Sequence, residues 1–314
     1  MSHLSRRGGG FTMVELLVSL VIMGVVATAI YRVLVNNQRI YQAQTQRIDL
    51  SQNIRAAGTI MPSELREADA NEGDIITMGP TSITFRAMRW MGYLCEQPNT
   101  GPSPALETPV LITTLSNKHQ YGARAPQSGD SVLIRYEGDE GTRNDDSWVQ
   151  GLITGKVGGN CAGGAGSPDN GPGSVLTITS YMPQVQNGLT PAAPNLTNTI
   201  YAGAAIRGFV AVTYSLYRPA GDTSWYIGYQ RGSGTMQPLI GPVLANGLEL
   251  AYYDSTGTLL DPANANNRAL VERVDITVRG RTAQPVRRVS GGTVLGAIVD
   301  SVVVRTSLRN NRRF

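Results

Sequence analysis

Three patterns of apolar and polar positions follow one another along the chain. From Phe11 to Tyr31 apolar residues run almost without a break, and Glu15 is the only ionisable side chain among them. About 20 such residues in a helix cover the ~30 Å hydrocarbon core of a bilayer, so the run predicts a spanning helix. Beyond it, Ile40, Ala43, Arg47, Leu50, Ile54, Ala57, Met61, Leu65 and Ala68 recur at spacings of three and four, apolar at every place except Arg47. That spacing draws one stripe along a helix, so the spanning helix is expected to continue as an amphipathic rod. Pro62 and then Asn71-Glu72-Gly73 are expected to bend or end it, with Ser63 capping a restarted turn and Glu64 just inside that turn.

After Gly73 the period changes to two. Runs rich in β-branched and aromatic residues predict strands over 74–78, 82–89, 131–137, 151–157, 175–181, 206–218, 225–230, 248–253, 271–279 and 297–308. Turn sequences such as Asp254-Ser255-Thr256-Gly257 and Gly221-Asp222 separate them. The expected fold class is α+β, a long N-terminal helix packed on a mainly antiparallel sheet. Gly158 to Gly173 and Gln184 to Thr199 are expected to be loops.

Charge adds direction. Arg6 and Arg7 precede the apolar run and hold their end in the cytoplasm, which places the body on the far side of the membrane. An ordinary secretory signal would also start this way, and Ala27-Thr28-Ala29 offers it a cleavage site that leaves Ile30 as the new N-terminus. An uncleaved anchor is a further alternative. Neither accounts for Glu15, since a carboxylate inside the bilayer costs a few kcal/mol unless neutralised or paired.

Gly10, the apolar Phe11 and an acid at the fifth position after Gly10, in Phe11-Thr12-Met13-Val14-Glu15-Leu16, resemble the class III signal of type IV pilins and type II secretion pseudopilins. The resemblance implies that a prepilin peptidase cuts between Gly10 and Phe11, methylates the new N-terminal Phe11 and leaves the apolar segment in the mature chain. Phe11 would then carry an ammonium that Glu15, of the same or a neighbouring subunit, can neutralise. Such a pair specifies register better than it adds stability, because a mismatched neighbour leaves an uncompensated charge. Arg32 stands where major pilins of the family usually carry a kinking proline, which points away from a major pilin. Ile60-Met61-Pro62-Ser63-Glu64-Leu65-Arg66-Glu67-Ala68 and the segments after Leu239 resemble, more loosely, W-type minor pilins and J-type minor pseudopilins.

The organisation this implies is a leader over 1–10, a transmembrane and assembly helix over 11–35, its amphipathic continuation over 36–70 and a β-rich extracytoplasmic domain over 71–314. The chain would sit as a single-pass protein of the bacterial inner membrane and enter a pilus or pseudopilus. Its partners would be prepilin peptidase, other minor pilins or pseudopilins, the major pilin and the inner-membrane assembly platform.

Little points to catalysis, and neither an enzyme activity nor a cofactor is expected. His3 leaves with the leader, and His119 alone builds no zinc site with Cys95 and Cys161, which are expected to form a disulfide outside the cytoplasm. No Gly-x-Ser-x-Gly elbow supports a hydrolase, and His119 is expected at the surface. Glu137, Asp139, Glu140, Asp145 and Asp146 gather in one loop; calcium could use such oxygens, but the spacing fits no EF-hand and a solvated loop is expected. Lys118 and Lys156 are the only lysines among 27 basic residues, and ten arginines against four acids follow from Asp261 onward. The tail arginines Arg305, Arg309, Arg312 and Arg313 suggest DNA as an alternative partner in an uptake pilus, although only Phe314 lies nearby to stack on a base.

Overall fold

The computed structural model describes residues 12–100, 111–136, 147–161, 171–183, 200–286 and 296–308. The chain divides into two compact units, residues 1–51 with 282–298 and residues 52–281 with 299–314. One helix, α1 (Met13–Leu65), passes from the first into the second.

In the first unit, α1 exposes Met13, Leu17, Leu20, Val21, Val25, Tyr31 and Leu34. Polar side chains within the apolar run bond to the helix itself: Ser19 Oγ donates to the Leu16 carbonyl at 2.9 Å and Thr28 Oγ1 to the Gly24 carbonyl at 2.8 Å. They therefore present no unsatisfied donor to a hydrocarbon surrounding. Further along, the Gln284 backbone N–H donates to Gln46 Oε1 at 3.0 Å.

The second unit holds the strands. They are β1 (Ile75–Met78), β2 (Ser82–Tyr93), β3 (Asn99–Thr100), β4 (Leu111–Ser116), β5 (Tyr121–Gly122), β6 (Ser131–Tyr136) and β7 (Ser147–Cys161). There follow β8 (Gly171–Pro183), β9 (Ala205–Tyr217), β10 (Trp225–Arg231), β11 (Gln237–Tyr253), β12 (Leu259–Leu260), β13 (Arg273–Arg281) and β14 (Val299–Ser307). All pairings are antiparallel, in the order β14-β13-β11-β10-β9-β6-β7-β8-β4-β3, with β2 along the other edge of β9.

β9 organises this sheet because its partner changes half-way. Val212–Tyr217 pair with β10, whereas Ile206–Phe209 pair with β6. On the β10 side, the last turns of α1 bury Ala57, Met61 and Leu65 among Ile83, Phe85, Tyr214, Ile227, Tyr252 and Ile276. Gly58 permits that approach, since a Cβ there would lie 3.3 Å from a Val304 methyl. On the β6 side, β2, β9, β6, β7, β8 and β4 close on themselves through a bridge between Leu94 and Leu115. This small barrel encloses Trp90, Leu115, Val132, Ile134, Ile153, Leu176 and Ile178. Gly208 has no room for a side chain, because a Cβ would fall 2.1 Å from the Trp90 ring. Cys95 and Cys161 form the expected disulfide, with Cα atoms 5.6 Å apart, joining the chain just after β2 to the end of β7.

All ten predicted strands are present. So is the helical stripe: Leu50, Ile54, Ala57, Met61, Leu65 and Ala68 are buried, Ile40 and Ala43 half-buried, and Arg47 exposed. Three local expectations are corrected. Pro62 does not end α1 where it stands; it lies inside the last turn, before the end at Leu65, and its carbonyl accepts the Arg66 N–H at 3.0 Å. Ser63 caps nothing, because its hydroxyl donates back to the Ile60 carbonyl at 2.8 Å. α1 ends at Leu65, and the turns that follow close at Gly73, at φ +80°, a conformation that favours glycine, just before β1. The glycines at 158–161 and 171–173 belong to β7 and β8, not to a loop. Two of them are crowded by neighbouring strands: a Cβ on Gly159 would meet Val175 at 2.6 Å, and one on Gly173 would meet Thr114 at 2.9 Å. The rest of that stretch, 162–170, and the expected loop over 184–199 lie outside the described residues.

Candidate functional site

The start of α1 carries the family-like motif. Thr12 precedes the first turn, and its Oγ1 accepts the backbone N–H of Glu15 at 3.3 Å. Thr-x-x-Glu is the spacing of a capping box, in which the first side chain satisfies a donor that the helix leaves open. Glu15 is exposed in the first turn, where the positive end of the helix dipole favours a carboxylate. Arg6, Arg7, Gly10 and Phe11 lie outside the described residues, so the expected Phe11–Glu15 pair is described at its acid end alone.

Residues 5–31 match the prokaryotic N-terminal methylation motif. The match supports a type IV pilin-like protein, processed by prepilin peptidase in a pilus or pseudopilus context. With the apolar helix that follows, it suggests a membrane-anchored pilin. Among the described residues, α1 is the one helix long and apolar enough to cross a membrane. No curated protein and no solved structure matches the chain. The long apolar helix with a large antiparallel β-sheet domain is consistent with an α+β pilin-like fold.

The other end of α1 is held by polar contacts that the sequence pattern did not reveal. Glu64 accepts from the Tyr214 hydroxyl at 2.9 Å and from Arg89 Nη1 at 3.0 Å, and Arg89 Nη2 reaches the Tyr229 hydroxyl at 3.3 Å. Burial, reinforced by the neighbouring Glu64 charge, pushes the Tyr214 phenol well above its usual range and keeps it a donor. Just past the helix, Arg207 meets Glu72 at 3.1 Å and Asp74 at 3.3 Å, while Arg135 lies 3.8 Å from Glu72. Arg86 donates to the Gly73 carbonyl at 2.8 Å, and Arg207 stacks on the Trp148 ring at 4.3 Å. Burial pushes Asp74 up to about 6 against the pull of Arg207, and pushes Glu72 up against the Trp148 indole and Arg207. Glu64 sits between the predicted core positions Met61 and Leu65, which was the available clue. Its partners on β2, β9 and β10 are remote in the chain and left no local mark.

The remaining candidates do not converge. His119 is half-buried in the turn between β4 and β5, and is thus less exposed than expected. Among the described residues no group of His, Cys, Asp and Glu side chains could hold a metal ion. The acidic residues at 137–146 lie outside the described residues, as do Arg309, Arg312 and Arg313. Arg305 stands on β14 with its side chain 75% exposed, 3.6 Å from Asp275.

Proposed function

We propose that the chain is a minor pilin or pseudopilin that works by assembly and not by catalysis. Prepilin peptidase removes residues 1–10, and methylated Phe11 becomes the first residue of the mature chain. The apolar helix holds the protein in the inner membrane with the β-rich domain outside the cytoplasm. Other minor pilins or pseudopilins, the major pilin and the assembly platform then take it into a pilus or pseudopilus. Glu15 neutralises a Phe11 ammonium and sets the axial register of the incoming subunit.

The observation that carries this reading is the motif match over 5–31, running without interruption into a 53-residue helix. α1 also passes through Arg32 unbroken, which suits a minor subunit lacking the proline kink of the major one. Mass spectrometry of the mature N-terminus tests the reading. Methylated Phe11 is expected; a chain beginning at Ile30 would show an ordinary secretory signal and end the proposal.

A further inference from the structure

The two ends of the strand order differ. β3 is a two-residue strand, too short to template a partner, whereas β14 pairs with β13 over nine residues, Val299–Ser307, without a register shift. Among the described residues no strand pairs with its other edge. Exposed edges are usually blunted by proline, charge, a bulge or brevity. Of these β14 has charge alone, in Asp300 and Arg305.

Which backbone groups stay open follows from the register. The Leu308 N–H donates to the Glu272 carbonyl at 2.9 Å, continuing the β13–β14 ladder by one pair. In an antiparallel ladder such pairs alternate, so even-numbered residues of β14 bond to β13. Val299, Ser301, Val303, Arg305 and Ser307 therefore direct their N–H and C=O groups to the open edge, where Asp300 Oδ1 already accepts the Ser301 N–H at 2.8 Å, so the site centres on Val303, Arg305 and Ser307. The same residues are exposed, with Val303 59% accessible. Charge at this edge is unbalanced: Asp275 lies 3.0 Å from Arg273 and 3.6 Å from Arg305, one acid between two cations.

We infer that the open edge of β14 is a strand-addition site for an extended segment of another protein. An apolar side chain of that segment faces Val303, and an acidic one faces Arg305. Backbone bonds supply the affinity in this mode, and alternate side chains supply the selectivity. A second copy is the less suitable occupant. Antiparallel self-pairing would reverse Gln52–Leu65, which lies on the same sheet, between the two copies. Under the proposed function both copies start from one membrane and share one direction.

The test uses the full chain in detergent micelles. Its probe is a fluorescent capped nonapeptide of alternating Thr and Val, with one Glu two residues before the central Val, read by anisotropy. Saturable binding is expected, with at least tenfold loss when alternate peptide nitrogens are methylated. Val303→Pro removes an N–H that faces away from β13, so it should abolish binding while the melting temperature stays near that of the parent. Arg305→Glu should weaken the Glu peptide at least tenfold and favour its Lys counterpart. Absence of saturable binding up to about 1 mM overturns the inference, as does equal binding by Val303→Pro. Self-association of the parent chain that Val303→Pro abolishes would replace the proposed occupant with a second copy. None of these results depends on where the N-terminus is cut, so failure here is distinct from failure of the pilin reading.

Discussion

Glu64, in the last turn of α1, accepts a hydrogen bond at 2.9 Å from the hydroxyl of Tyr214, in the middle of β9. The contact ties helix to sheet above a core that is otherwise apolar, and Arg89 completes it from β2. The Glu64 side chain is 23% exposed, so its partners lose a largely dry acceptor if it is removed. Glu64→Ala should cost about 2–3 kcal/mol, because a buried donor left unsatisfied loses more than the net worth of one bond. Tyr214→Phe should cost less, and the double variant should fall short of the sum. Urea denaturation of the four proteins checks this, and strict additivity would show that the two residues do not act together.

The Cys95–Cys161 disulfide closes a segment with a sequence separation of 66. In the chain-entropy account a loop of that size restricts the unfolded state by about 4 kcal/mol. Replacing both cysteines by serine should lower unfolding free energy by roughly that amount. The loss should concentrate in the barrel, which the Leu94–Leu115 bridge closes beside the disulfide. Hydrogen exchange at Leu133 and Ile153 should accelerate more than at Ile276 and Val278. Equal acceleration at all four amides would argue that barrel and helix-covered core unfold together.

What was legible in the chain follows the range of the interactions that decide it. The stripe from Leu50 to Leu65 and the ten alternating runs report local periodicity, and both survive in the fold. β4 was missed because Leu111–Ser116 pairs two apolar residues, then two threonines, with no clean alternation. Thr113, Thr114 and Ser116 are buried there by the barrel, a consequence of closure that no window of sequence displays. Pro62 lies inside the last turn because Met61 and Leu65 around it are buried, and that burial is tertiary, whereas a proline's missing N–H is a local liability. The motif at Gly10, Phe11 and Glu15 was legible because its spacing is contiguous. The anchor at Glu64 was not, because its partners stand 25 and 150 positions away.

Asp74 gives the fold a pH dependence of unusual sign. Its folded value is raised to about 6 by burial, from an ordinary value of 3.8. The native state then binds more protons than the unfolded chain between those values, so this residue's contribution is full below pH about 4 and is lost as pH rises through about 6. The slope for one such group is at most about 1.4 kcal/mol per pH unit. Asp74→Asn should flatten the difference in stability between pH 4 and pH 6.5, measured by denaturant unfolding at each pH. A variant whose pH profile parallels the parent's would remove Asp74 as the source.

Glu15 separates anchoring from assembly. The helix around it is apolar and exposed on every side, so Glu15→Leu should insert into the membrane at least as well as the parent. Under the proposed function the same change leaves the Phe11 ammonium of the processed chain without its counter-charge. Incorporation into the filament should then fall to background while processing at Gly10 continues, since the cut precedes the pairing. Glu15→Gln distinguishes charge from shape: it keeps the size of the side chain and the backbone N–H that Thr12 accepts but loses the charge, and should fail as Glu15→Leu does. The readout is the amount of mature protein in sheared filaments against the amount in the membrane fraction. Normal incorporation of either variant would mean that register is set elsewhere along α1, and that the acid serves the helix end alone.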